Sequence, residues 1–327
     1  MKISRLYFLL FPFVWLAGYA QTDTLQYFDG MDRRAHIDNA AYYRKISKPD
    51  TGKLYLGTEY WMDGHVKMVG YALDSNFLYK IGRFSYYYKN GTQSGRGQFY
   101  SDIDQHVFGY KNKKWEIWYP NGKPKEVWIY KIAEDFTYNE SFLFSFWDTT
   151  GTELTSKGHG TYYYTEFVNT KDSLQKITFN GPVHQGRYDS VWHGYYANGK
   201  EYAEELYTKG RMIKGKSFDG AGNTYTYDTI VTLPEFPGGE EELNRFLKLN
   251  IQAPPEQESD IQQRVVMHVF VGRNGFVGNV SILRGASAAK NAEALRVVKS
   301  LPRFLPATSR GQPVDSYYNV PVSFSLP

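Results

Sequence analysis

The sequence predicts an all-β region of hairpin repeats followed by an α+β C-terminal domain, two helices packed on a small antiparallel sheet. Three observations point there. The 327 residues include 29 Tyr, 21 Phe and 7 Trp, and such rings favour strands, where they pack against cross-strand neighbours. Asn-Gly pairs recur with aromatic residues at fixed offsets. After Asp228 the tyrosines thin out, and apolar residues take up helical spacing instead.

The chain opens with Lys2 and Arg5 before an apolar run over 6–16, and Gly18-Tyr19-Ala20 sets small residues where a signal peptidase cuts. The run is broken by Pro12 and falls short of the roughly 20 residues that span a bilayer. Residues 1–20 are therefore expected to be a cleaved export signal and the mature chain periplasmic, with an uncleaved inner-membrane anchor as the alternative. The chain has no Cys, which removes both a disulfide framework and the lipid-bearing Cys of a lipoprotein. Net charge is only +4, spread without a basic block, which argues against a nucleic-acid surface.

Between 21 and 227 the text repeats. Around Asn90-Gly91, Asn121-Gly122 and Asn198-Gly199, the residue seven before the Gly is Phe84, Trp115 and Trp192. Four before stand Tyr87, Trp118 and Tyr195; three before stand Tyr88, Tyr119 and Tyr196; eight after stand Phe99, Tyr130 and Tyr207. Asn-Gly suggests a two-residue type I′ turn with both residues at positive φ. Positions seven and three before the Gly share one strand face and the position between them takes the other. Each unit is thus a hairpin, marginal alone and in need of stacked neighbours. Weaker copies surround Asp63-Gly64, with Tyr60 and Trp61, and Thr150-Gly151, with Phe144 and Trp147. The segments Trp115-Glu-Ile-Trp-Tyr-Pro-Asn-Gly-Lys123 and Trp192-His-Gly-Tyr-Tyr-Ala-Asn-Gly-Lys200 resemble MORN-type and antitoxin-like β-hairpin repeats, over about half of residues 55–225. That resemblance implies a scaffold shape rather than a role. The abundant rings are expected to fill a core between sheet layers; exposed on a flat face they would instead anchor a partner.

Residues 228–233 read as a linker and 234–327 as the C-terminal domain. Pro and Gly in Pro234-Glu-Phe-Pro-Gly-Gly239 stop any regular element. Glu240, Glu241 and Glu242 then suit a helix N-terminus, and Leu243, Phe246 and Leu247 form its apolar stripe. A strand over 264–271, a turn at Arg273-Asn274-Gly275 and a return strand over 276–283 follow. A second helix over 288–301 carries Ala292, Leu295, Val298 and Leu301 on one face and is stopped by Pro302. A last strand over 317–326 alternates around Val320, Val322 and Phe324.

These residues, in this order, resemble the C-terminal domain of TonB in the form of Bacteroidetes-type energy transducers. The resemblance rests on Pro234-Glu-Phe-Pro-Gly-Gly239, Ile261-Gln-Gln-Arg-Val-Val266, Val271-Gly-Arg-Asn-Gly-Phe-Val277, Arg284-Gly285, Glu293-Ala-Leu-Arg-Val-Val-Lys-Ser-Leu-Pro302, Arg310-Gly-Gln-Pro-Val314 and Val320-Pro-Val-Ser-Phe324. It implies binding and no enzymatic chemistry. The family grips a short extended segment, the TonB box, of outer-membrane receptors by adding it to an open sheet edge, where main-chain bonds supply affinity. Carried onto this chain, the partner-binding edge strand comprises Tyr318, Asn319, Val320, Val322 and Phe324, the side chains of the last three also serving the core. Two positions depart from the family: Ala253-Pro254 stands where Tyr-Pro is usual, and Phe304 where Trp is usual. The 14 Pro form no run, and a repeat region replaces the Pro-rich spacer of energy transducers.

No cofactor or metal is expected. His36, His65, His106, His159, His184, His193 and His268 show no ligand spacing. Gly95-Arg-Gly97 opens no helix, and Asp102 with Asp104 lacks the Gly and Glu of a calcium loop. The leading expectation is a periplasmic binding protein for outer-membrane TonB-dependent receptors. The alternatives are an anchored transducer with an ExbB/ExbD-type motor, or a structural repeat protein whose C-terminal domain caps the sheet or forms a homodimer.

Overall fold

The computed structural model describes residues 24–47, 53–134, 138–170, 174–252 and 264–324. The expected export signal and the Ala253-Pro254 departure lie outside them. No helix among the described residues is long and apolar enough to cross a membrane. Two compact units emerge: one holds the described residues up to Phe142 with Trp147–Thr152, the other Leu143–Phe146 and the residues from Glu153 on. Their boundary falls within the hairpin region and not near residue 228.

In the first unit, Thr24–Phe28, Tyr42–Ser47, Tyr55–Trp61, Val66–Ala72, Lys80–Tyr87, Gln93–Asp102, Val107–Trp118 and Pro124–Ile132 each pair antiparallel with the next. In the second, His159–Asn169, Leu174–His184, Ser190–Tyr196, Glu201–Thr208, Arg211–Phe218 and Thr224–Tyr227 do the same. The all-β reading of this region holds; the turn type does not. At Asn90-Gly91, Asn121-Gly122 and Asn198-Gly199 only the Gly has positive φ. The Gly N–H donates to the carbonyl three residues back, Tyr88, Tyr119 or Tyr196. This is a three-residue loop, a type I turn closed by a left-handed Gly. The Asn keeps negative φ and accepts the N–H two residues on through Oδ1, as from Lys123 at 3.0 Å. Pro120 is the signal that distinguishes it, since Pro presets the first central position of a type I turn. The same bond closes at Gly64, Gly151 and Gly222, and the last of these extends the repeat beyond the copies visible in sequence.

The aromatic columns divide by task. Phe84, Trp115 and Trp192 are buried. Their rings lie across glycines of neighbouring strands, so closely that a Cβ on Gly97 would come within 2.1 Å of Trp115. Rings continue along the sheet at 4.7 Å from Phe84 to Phe99 and 5.0 Å from Phe99 to Trp115, edge-to-face as ring quadrupoles favour. Gly97, set aside as a phosphate-loop candidate, is therefore a seat for an indole. The tyrosines three before the Gly link one hairpin to the next: Tyr88 Oη donates to Trp118 O at 2.7 Å, Tyr119 Oη to Trp147 O at 2.8 Å and Tyr196 Oη to Phe218 O at 2.9 Å.

Each unit also buries a glutamate. In the first, Glu59 is held by Arg44 at 2.6 Å and Lys67 at 2.9 Å, with the Arg44 guanidinium over the Phe28 and Phe77 rings. All five groups come from the hairpin region itself.

In the C-terminal segment, helix α1 (Gly239–Asn250) opens at Gly238 and Gly239, both with positive φ, and helix α2 (Ala288–Lys299) is capped by Ser287, whose Oγ accepts from Lys290 N. A central strand (Arg264–Val271) pairs with a return strand (Val277–Arg284) on one side and a final strand (Ser316–Ser323) on the other. One apolar cluster joins Leu243 and Leu247 of α1, Ala294, Val297 and Val298 of α2, and Val265, Met267, Val269, Val320 and Val322 of the sheet. Phe304 is buried in it against Phe236 and Tyr318, so phenylalanine fills the position where the family has tryptophan. The stretch read as a linker contains the strand Val231–Thr232, which pairs with Ala307–Ser309. That strand forms a hairpin with Gln312–Val314, giving a further three-stranded sheet.

Candidate functional site

The final strand runs beside the central strand from Ser316 opposite Val271 to Ser323 opposite Arg264. Among the described residues nothing pairs with its other side. Val320, Val322 and Phe324 are buried in the core, while Tyr318 is half-buried against Phe304. Asn319 lies on the opposite face, its Oδ1 2.8 Å from His268 Nδ1, and His268 stacks on Tyr317 at 4.5 Å. Asp315 fixes the start of the strand. It accepts from Arg273 N at 2.8 Å and pairs with the Arg273 guanidinium at 2.9 Å, which holds its carboxyl below the usual range.

The direction of the backbone groups follows from the register. Gly272 N–H donates to Phe276 O, across to the return strand. Because N–H and C=O of one residue point the same way and alternate along a strand, the even residues of the central strand address the return strand and the odd ones the final strand. Val265, Met267 and Val269 stand opposite Val322, Val320 and Tyr318. The amides of these three are thus engaged inward, and those of Tyr317, Asn319 and Ser323 face the open edge. Pro321 has the outward parity, the place where an edge strand tolerates the missing donor. Tyr317 and Ser323 were missed in the sequence reading; the parity of Pro321 could have found them.

The other edge differs. The return strand carries an extra residue at two register shifts against the central strand, between Val266 and Met267 and between Val269 and Val271. Bulges of this kind disrupt the ladder and protect an edge from pairing.

Residues 255–326 match the family model of the Gram-negative bacterial TonB protein C-terminal. This segment is TonB-like. No curated protein matches the chain. The family is transport-associated and non-enzymatic, and at family level it works with outer-membrane receptors and the ExbB/ExbD system. At family level the domain is associated with TonB-dependent transport and with the cell envelope.

Within that domain, Glu293 joins the helices. It accepts from Gln252 N at 2.6 Å and pairs with Arg296, which also donates to Asn250 O at 2.6 Å. The Arg296 hydrogen bond holds the Glu293 carboxyl below its ordinary 4.5. A depressed carboxylate stabilises fully above the ordinary value and loses that contribution as pH falls through the folded one. Glu293→Gln is expected to cost about 1 kcal/mol at neutral pH, because Arg296 is half-exposed. Urea midpoints of variant and parent should converge in acid; a gap that persists there contradicts the assignment.

Elsewhere, folding brings together residues that sequence spacing kept apart. His193, Glu201 and Glu204 lie close enough across one hairpin to hold an ion. His193 is already 2.7 Å from Glu201, and Glu204 is paired with Lys216 at 3.2 Å. Asp102 accepts from Gln105 N as part of a turn.

Proposed function

We propose that the protein is a periplasmic, non-enzymatic binding protein whose TonB-like domain takes an extended segment of an outer-membrane receptor, of the TonB-box class, as an added strand beside the final strand. The open edge with its outward amides at Tyr317, Asn319 and Ser323 supports this reading. The His268–Tyr317 stack and Asn319 would meet the alternate side chains of the guest and supply selectivity. The test is calorimetric titration of the full chain with peptides from receptor N-termini. Saturable binding is expected, weakened about fivefold by Asn319→Pro, which removes one outward donor worth about 1 kcal/mol. Unchanged affinity in a folded Asn319→Pro would sink the strand-addition reading. Capping of the repeat sheet, the structural alternative, draws support from one observation: the 307–314 hairpin packs into the hairpin sheet through Arg310.

A further inference from the structure

Arg310 and Gly311 are the two central residues of the turn between Ala307–Ser309 and Gln312–Val314, and both have positive φ. A left-handed arginine is uncommon, and such strain persists only where surrounding contacts enforce it. Here they do. The guanidinium is buried, with Nε 2.7 Å from Glu205 Oε1 and Nη1 2.6 Å from Glu166 Oε1, and its carbon lies 4.4 Å from the centre of the Phe179 ring. Tyr207 and Tyr227 hydroxyls donate to the two oxygens of Glu205, each at 2.8 Å. The backbone is held as well: Arg310 N donates to Ile230 O, and Arg310 O accepts from Ser217 Oγ at 2.7 Å.

The first unit shows what this arrangement replaces. Glu59 is neutralised there by Arg44, a residue of the same hairpin region lying between two rings. Glu205 is 1% exposed, and a carboxylate so buried needs a cation. The cation it receives comes from 105 residues further along the chain. We propose that the hairpin sheet of the second unit is a guanidinium-binding socket, formed by Glu205, Glu166 and Phe179, whose ligand is the Arg310 turn of the TonB-like domain. A planar fork hydrogen-bonds Glu205, lies within ion-pair distance of Glu166 and rests its face on a ring; an ammonium cannot do all three. A cleft of about 620 Å³ lined by Glu166, Ile230, Ser309 and Arg310 opens beside the socket.

The test is chemical rescue in the full chain, read by thermal unfolding, so its outcome is independent of receptor peptides. Arg310→Ala is expected to lower the midpoint. Ethylguanidinium at millimolar, non-denaturing concentration should raise it again by binding the folded state. Ethylammonium should not, and Arg310→Lys should stay below the parent. If Arg310→Ala does not fold, the double variant Arg310→Ala with Glu205→Gln should, since the lone buried charge is gone, and it should be indifferent to ethylguanidinium. Equal rescue by both cations, a folded Arg310→Ala with no rescue or no loss, or a double variant no more stable than the single one would each overturn the proposal.

Discussion

Trp192→Ala is expected to remove about 3–5 kcal/mol of folding stability, a large share of the roughly 5–15 kcal/mol that holds a domain together. The indole is 1% exposed and sits across Gly181, where any Cβ would come within 2.4 Å of it. Tyr188 stacks on it at 4.0 Å, Tyr207 meets it edge-on at 6.0 Å, and its Nε1 donates to Pro182 O at 3.0 Å. Gly181 has no side chain to collapse into the space, so a cavity term adds to the transfer term. Tyr195→Ala, from the column on the other face, should cost clearly less. Urea denaturation of both variants decides the matter; similar losses at 192 and 195 would show that the two faces are equivalent and that the ring row is not the core.

The second large effect separates two adjacent residues given the same substitution. Val322→Pro removes an amide engaged with the central strand and a side chain buried in the apolar cluster. It is expected to cost about 3 kcal/mol or more, on the scale of a proline forced into a bonded interior position. Ser323→Pro removes only an outward amide, so stability should stay within about 0.5 kcal/mol, as at ordinary surface sites, while peptide affinity falls. Circular dichroism melts and titration on the same samples measure both. If Ser323→Pro unfolds the domain and Val322→Pro does not, the assigned parity of the final strand is reversed.

Long periodic elements were legible in the sequence. The strand Arg264–Val271 begins and ends where its alternation does, because Val265, Met267, Val269 and Val271 all enter one core. The first helix starts beside its acidic residues and the second at Ala288, while the Ser287 cap was not read from the sequence. The aromatic columns announced a repeat; the column seven before the Gly is buried, while those four and three before it are half-buried. What escaped was short or depended on distant partners. Val231–Thr232 and Gln312–Val314 are too brief to show a period, and Val231–Thr232 gains its pairing across more than 70 residues. The type I turns were hidden because Asn-Gly serves two loop geometries, and only Pro120 separates them. Arg310 looked like one more family motif residue, since nothing near it in sequence says that Glu205 lacks a cation. Within the candidate site, the strand was recognisable from its valines. The residues whose amides face outward lie between them, and only the register with the central strand distinguishes the two sets.

The bulged return strand sets a stoichiometry. A sheet with two flat edges can pass strands on from molecule to molecule, and nothing in its geometry ends the chain of additions. Here one side is kinked at two places and only the final strand lies straight. If a guest adds there as proposed, one strand would use up the docking capacity of the sheet and become its new border. Growth beyond that step would require the guest to offer a free edge of its own.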